Sequence, residues 1–226
     1  MKRAASRATL PQPPPNAPAP PPNEVVLRSR RWWRGIWIVG AASMVLVGIA
    51  PLFLRSRKSA DLTQAVSNAR QIGFALGEYQ EESGRFPSPF TLSPTSNEIF
   101  RELLTANVAL TEGIFYARIP GARRPDEMMT KGETLKKGEV GFTYLLGTEP
   151  TDRPDRPLVV TPMIVGTKRF SPKGVQGRAV ILTKDNSVRS LPIDRRGRVL
   201  LYGMDLMDPH HPVWEGRPPT IAWPEF

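Results

Sequence analysis

Asp205, Asp208, His210 and His211 lie in one short segment that holds both histidines of the chain, and they are the grouping whose side chains could ligate a metal or move a proton. Imidazole suits borderline cations and carboxylate suits hard ones. Two adjacent histidines face one ion only where the backbone bends sharply, and Pro209 and Pro212 stiffen this stretch. A solvated loop without an ion is the competing expectation. Glu81 with Glu82, and Asp152 with Asp155, are carboxylate neighbours of the kind that pair in glycoside hydrolysis, but adjacency on a solvated face explains them as well. The sequence has no cysteine, which removes disulfides, thiol nucleophiles and thiolate metal sites. It also lacks a G-x-S-x-G elbow, a P-loop, an H-E-x-x-H helix and a dinucleotide fingerprint. The expectation is a non-enzymatic protein with no cofactor; a tethered hydrolase built on His210 and His211 is the remaining enzymatic alternative.

The elements that would carry these residues begin with a membrane anchor. Gly35 to Leu54 contains no charged side chain, and about 20 such residues are needed to cross a bilayer as a helix. Arg28, Arg30, Arg31 and Arg34 precede the stretch, Arg55, Arg57 and Lys58 follow it, and Trp32, Trp33 and Trp37 stand where indoles prefer the interface. A cleaved signal peptide is the rival, but more than thirty residues precede the apolar run and Arg55-Ser-Arg-Lys replaces a small-residue cleavage site. Basic residues on the two flanks nearly balance, so charge alone leaves the orientation open.

Net charge is +10, yet beyond Leu54 there are 24 basic against 20 acidic residues. No recognition helix, RNP signature or zinc-finger spacing accompanies this surplus, so nucleic acid is not an expected partner; anionic lipid is. Pro11 to Pro22 is mostly proline and alanine and reads as an extended polyproline tail, either a linker or a docking peptide for a cytoplasmic partner.

Leu62, Ala65, Val66, Ala69, Ile72, Leu76 and Tyr79 recur at three- and four-residue intervals and predict one apolar face of a helix, with Gln64, Arg70, Gln71 and Glu78 on the other. Gly84 suits the left-handed position past its end, and Pro87 prevents resumption. A second helix is expected over Asn97 to Asn107, capped by Ser96 or Asn97, with Ile99, Phe100, Leu103 and Leu104 inward. Short runs rich in β-branched and aromatic residues then predict strands over Gly113 to Ile119, Val140 to Leu146, Leu158 to Val165, Arg178 to Lys184, Ser187 to Ile193 and Arg198 to Tyr202. Asp185-Asn186 marks a tight hairpin, and Pro192 belongs at an edge or a strand end. Arg123 to Gly138 reads as a long exposed loop. Most of Tyr79, Phe86, Phe90, Phe100, Phe115, Tyr116, Phe142 and Tyr144 should fill the layer between helix and sheet, while Trp214, Trp223 and Phe226 strap the carboxy-terminal segment over the sheet or form a contact patch.

Ala75, Leu76, Tyr79, Glu81, Glu82, Gly84, Phe86 and Pro87 follow a pattern that resembles the end of the stalk helix in type IV pilins and type II secretion pseudopilins. Pro157 to Pro162 followed by Gly177 to Leu191 is similar to the later strands of prepilin-like proteins that end in a "DGSV" hairpin, with Asn186 in place of the glycine. The two matches cover about a third of the chain. The resemblance implies an α+β fold in which a long amino-terminal transmembrane and stalk helix is packed by an antiparallel β-sheet. It also implies a bacterial inner-membrane location with a cytoplasmic amino terminus, an extracytoplasmic domain, and other pilin-like or secretion-machinery subunits as partners. Arg34-Gly35 resembles the processing position of prepilins, so Gly35 is the candidate processing residue. Ile36 and Gly40 stand where that family carries Phe or Met and a recruiting Glu, which points to an accessory or scaffold subunit.

The expected organisation is a basic Pro-rich tail over 1–34, a transmembrane helix over 35–54, a stalk helix over 55–84 and a β-rich region over 85–226. The leading expectation is a subunit of a secretion, pilus-like or envelope assembly. The alternative is a membrane-tethered periplasmic binding or sensor domain whose tail docks a cytoplasmic partner.

Overall fold

The computed structural model describes residues 60–88, 91, 93–127 and 134–226. The Pro-rich tail, Gly35, the Gly35 to Leu54 stretch and Phe90 lie outside the described residues. Among the described residues no helix is long and apolar enough to cross a membrane.

Helix α1 covers residues 60–83. It ends as the sequence predicts, with Gly84 at φ 74° and its N–H on the Gln80 carbonyl at 2.9 Å. Helix α2 is Ser96–Thr105, and its cap differs from expectation. Thr95 is the N-cap, forming a reciprocal box with Glu98: the Thr95 hydroxyl accepts the Glu98 N–H at 3.2 Å, and Glu98 accepts the Thr95 N–H at 2.8 Å. Ser96 and Asn97 are instead fully buried and serve tertiary contacts.

Five strands form one antiparallel sheet in the order β4-β3-β2-β1-β7, from β1 (Thr143–Leu146), β2 (Pro157–Thr161), β3 (Arg178–Thr183), β4 (Val188–Pro192) and β7 (Thr220–Ala222). β5 (Leu200–Leu201) and β6 (Met204–Asp205) make a separate two-stranded ribbon. The molecule is α+β. Pro192 ends the edge strand β4, where a missing N–H is tolerated.

Alternation along β3 shows why a sheet forms here. Val180 and Leu182 join the cluster that contains Ile72, Leu76, Phe100 and Phe115, whereas Ala179 and Ile181 join a second cluster with Val160, Leu201, Leu206 and Trp214. Successive strand side chains point to opposite faces, so the sheet has helices on one face and the β5–β6 ribbon with the Pro212–Trp214 turn on the other. Of this third layer only the strap carrying Trp214 and Trp223 was anticipated, and the layer explains why every residue of β1 and β2 is buried. Trp214 fills its centre, with Nε1 donating to the Leu206 carbonyl at 2.9 Å.

Three local expectations are corrected. Gly113 to Ile119 is not a strand: Glu112–Phe115 is a 3₁₀ turn, and the segment's polar groups are met singly, by the Asn68 amide on the Gly113 and Tyr116 carbonyls at 3.0 and 2.8 Å and by the Gly141 N–H on the Phe115 carbonyl at 2.9 Å. The expected β3–β4 hairpin forms, but as a three-residue loop, Lys184 to Asn186, in which only Asn186 has positive φ, at 61°. The two-residue turn with both φ positive is Tyr202-Gly203 between β5 and β6. Finally, the described parts of Arg123 to Gly138 are not simply exposed, since Leu135 is fully buried and Thr134 nearly so.

Candidate functional site

Helix α1 presents two different faces. Ala65, Ala69, Ile72, Leu76 and Tyr79 are buried, and Leu62 and Val66 pack against the same core while half-buried. Burial of residues such as Ile72 and Leu76 contributes about 1.5–3 kcal/mol each. These seven positions are occupied by the chain's own sheet and second helix. Contacts with another molecule would have to use the opposite face, where Arg70, Gln71 and Glu78 are exposed beside Phe74, an aromatic ring left 68% accessible. On the inner side, Gly73 lies against the β3–β4 hairpin.

The carboxy-terminal Asp and His residues do not converge. Asp205 pairs with Arg169 at 3.0 Å and accepts the Met207 N–H at 3.2 Å. Asp208 accepts the His210 N–H at 2.9 Å and faces Nδ1 of that 91% exposed imidazole at 3.3 Å. The hydrogen bond from the His210 backbone N–H holds the Asp208 carboxyl below its ordinary range. His211 is buried with both ring nitrogens engaged: Nδ1 accepts the Val213 N–H at 3.1 Å and Nε2 meets the Leu201 carbonyl at 2.9 Å. That fixes a neutral ring with its proton on Nε2 and leaves no lone pair for a metal. His211 caps a turn.

The other carboxylate neighbours are also structural. Asp152 is buried against Arg156 at 3.3 Å and contacts Arg217, while the Arg156 guanidinium donates to the Trp214 and Arg217 carbonyls at 3.0 and 2.9 Å and lies over the Trp214 ring. Asp155 takes two parallel hydrogen bonds from Arg153 at 2.9 and 3.1 Å.

A grouping that sequence reasoning missed lies elsewhere. One carboxylate oxygen each from Glu112, Asp126 and Glu139 come within 4.8 Å of one another. Glu112 and Glu139 are buried and Asp126 is exposed. The Leu135 N–H donates to Glu112 Oε1 at 2.8 Å, but Glu112 Oε2 has no hydrogen-bond partner. The Lys136 N–H donates to Glu139 Oε2 at 2.7 Å, and Lys136 Nζ pairs with Asp126 at 2.9 Å. Glu127, with φ 59°, turns back so that its carboxylate accepts the Glu112 N–H at 3.2 Å. Arg123 reaches Glu139 at 3.5 Å. Burial pushes the Glu112 carboxyl above its ordinary range; the Leu135 N–H opposes this, and the charges of Glu139, Asp126 and Glu127 push it further up.

One shallow apolar groove, 240 Å³ in volume, runs along Ile119, Pro162, Met163, Ile164 and Phe226. It is smaller than the roughly 300–1,000 Å³ usual for small-molecule sites.

No protein-family model matches the chain, and no curated protein or solved structure matches it.

Proposed function

We propose that the chain is a non-enzymatic, pilin-like membrane subunit of a secretion, pilus-like or envelope assembly. In this reading Gly35 to Leu54 is a bilayer anchor, the amino-terminal tail is cytoplasmic, and the domain that holds helix α1 is extracytoplasmic. The observation that carries the reading is the division of α1: its predicted apolar face is covered by an antiparallel sheet of the same chain, while Phe74 stays exposed among polar residues on the outer face. A helix covered in this way can offer its outer face laterally to a neighbouring subunit, and an exposed aromatic there suits such a contact.

The chain's lack of cysteine makes the test direct. Phe74→Cys would carry the sole thiol, and labelling it in intact membranes with a maleimide-benzophenone followed by photolysis is expected to give adducts with a second copy or a neighbouring subunit. Tyr202→Cys, an exposed position on the β5–β6 turn, serves as the comparison. If Phe74→Cys stays monomeric, or if the chain washes off membranes in alkaline carbonate, the proposal fails.

A further inference from the structure

We propose that Glu112, Asp126 and Glu139 bind a divalent cation, calcium, which ties the 3₁₀ turn at Glu112–Phe115 to the segments on either side of residues 128–133. This site is independent of the assembly role. Two observations carry it. The three carboxylates approach one another from separate stretches of chain, two of them from the interior. Glu112 is fully buried and its Oε2 has no donor, although buried polar atoms nearly always find one. A divalent ion would supply positive charge among these carboxylates and a partner for Oε2.

The donor set selects the ion. Only oxygen ligands are present, which favours hard cations over zinc or copper. Oxygens within 4.8 Å of one another fit inside a calcium coordination sphere, whose diameter is about 4.6–5.2 Å, twice the Ca–O distance. Magnesium requires a tighter octahedron at about 2.0–2.1 Å from each ligand. The half-exposed carboxylate of Asp126 leaves a route for the ion to enter and for water to complete its shell. The chief competitor is a proton on Glu112 shared with a neighbouring carboxylate, which would satisfy Oε2 without metal.

Full-length protein in detergent, stripped with chelator and dialysed metal-free, would be melted against calcium chloride and magnesium chloride with tryptophan fluorescence as the readout. Calcium at a hundredfold excess over its Kd is expected to raise Tm by about 5–10 °C. Asp126→Asn should raise the calcium concentration for half-maximal effect about tenfold or more. Glu112→Gln should abolish the response while the metal-free protein melts no lower than wild type, because the amide removes a buried, repelled charge. Absence of a calcium shift in wild type overturns the site in favour of the shared proton. A shift that survives in both variants also overturns it, and an equal response to magnesium overturns the assignment to calcium. If Glu112→Gln does not fold, the exposed Asp126→Asn decides.

Discussion

Two glycines on helix α1, one turn apart, should respond in opposite ways to the same substitution. An alanine is more favourable than glycine inside a helix by about 0.8–1 kcal/mol. At Gly77 a Cβ would meet nothing within 4 Å, so Gly77→Ala should realise that gain. At Gly73 the added Cβ would run into the Asn186 side chain and stand 2.8 Å from Leu182 Cδ1. Overpacking of this kind costs about 1–3 kcal/mol, so the propensity gain is cancelled or reversed and Gly73→Ala ends between roughly neutral and about 2 kcal/mol destabilised. The difference between the two variants isolates the overpacking, and at about 2–4 °C per kcal/mol it amounts to roughly 2–12 °C in Tm. Paired thermal melts, with urea denaturation to confirm an unchanged m-value, measure it. A third variant locates the cause: Asn186→Gly removes the obstructing side chain and its unpartnered Oδ1 while keeping the left-handed φ of 61°, so the gap should narrow in that background. Equal stabilisation by Gly73→Ala and Gly77→Ala would refute the close packing of α1 on the β3–β4 hairpin.

Two further predictions concern polar contacts. Arg153, through its two hydrogen bonds, holds the Asp155 carboxyl below its ordinary range against an opposing effect of burial. A carboxyl depressed in the folded state contributes stability above its unfolded pKa of about 3.9, and loses it as pH falls through the lower folded value. Asp155→Asn should therefore destabilise the protein near neutral pH, with the difference from wild type vanishing in acid; a pH-independent difference would contradict this. Ser96 Oγ donates to the Ala222 carbonyl at 2.6 Å and accepts the Tyr144 N–H at 2.9 Å, joining α2 to β1 and β7. Ser96→Ala leaves both buried groups without that partner and should cost about 2–4 kcal/mol in denaturant titration, whereas a loss under 0.5 kcal/mol would show that water replaces the hydroxyl.

The sequence disclosed those elements whose pattern is local. The inward face of α1, the glycine stop at Gly84 and the runs that became β1 to β4 were legible because helix and strand periods are written in consecutive residues. β7 was not, since Thr220–Ala222 is only three residues between prolines and is a strand because β1 and the buried end of α2 hold it. Gly113 to Ile119 misled for the reverse reason: its residue types favour a strand, but the neighbouring backbone offers it isolated hydrogen bonds rather than a ladder.

The acidic grouping exposes a deeper limit, because it is assembled from a turn, a loop and the start of an extended segment that share no motif spacing. Glu112 sits within what read as a strand boundary, Asp126 within a polar loop, and Glu139 beside Gly138. Charge counting hides it as well. Beyond Leu54 basic residues outnumber acidic ones, 24 against 20, yet Glu112 and Glu139 are buried and converge with a third carboxylate. Distant arginines on the surface cannot compensate, because solvent screens them within about 8–10 Å. Interior charge must be balanced locally, and a proton or a bound ion would do so at Glu112 Oε2, which has no hydrogen-bond partner. Calcium titration separates the two, since a shared proton satisfies Glu112 without a metal-dependent Tm and a bound ion does not.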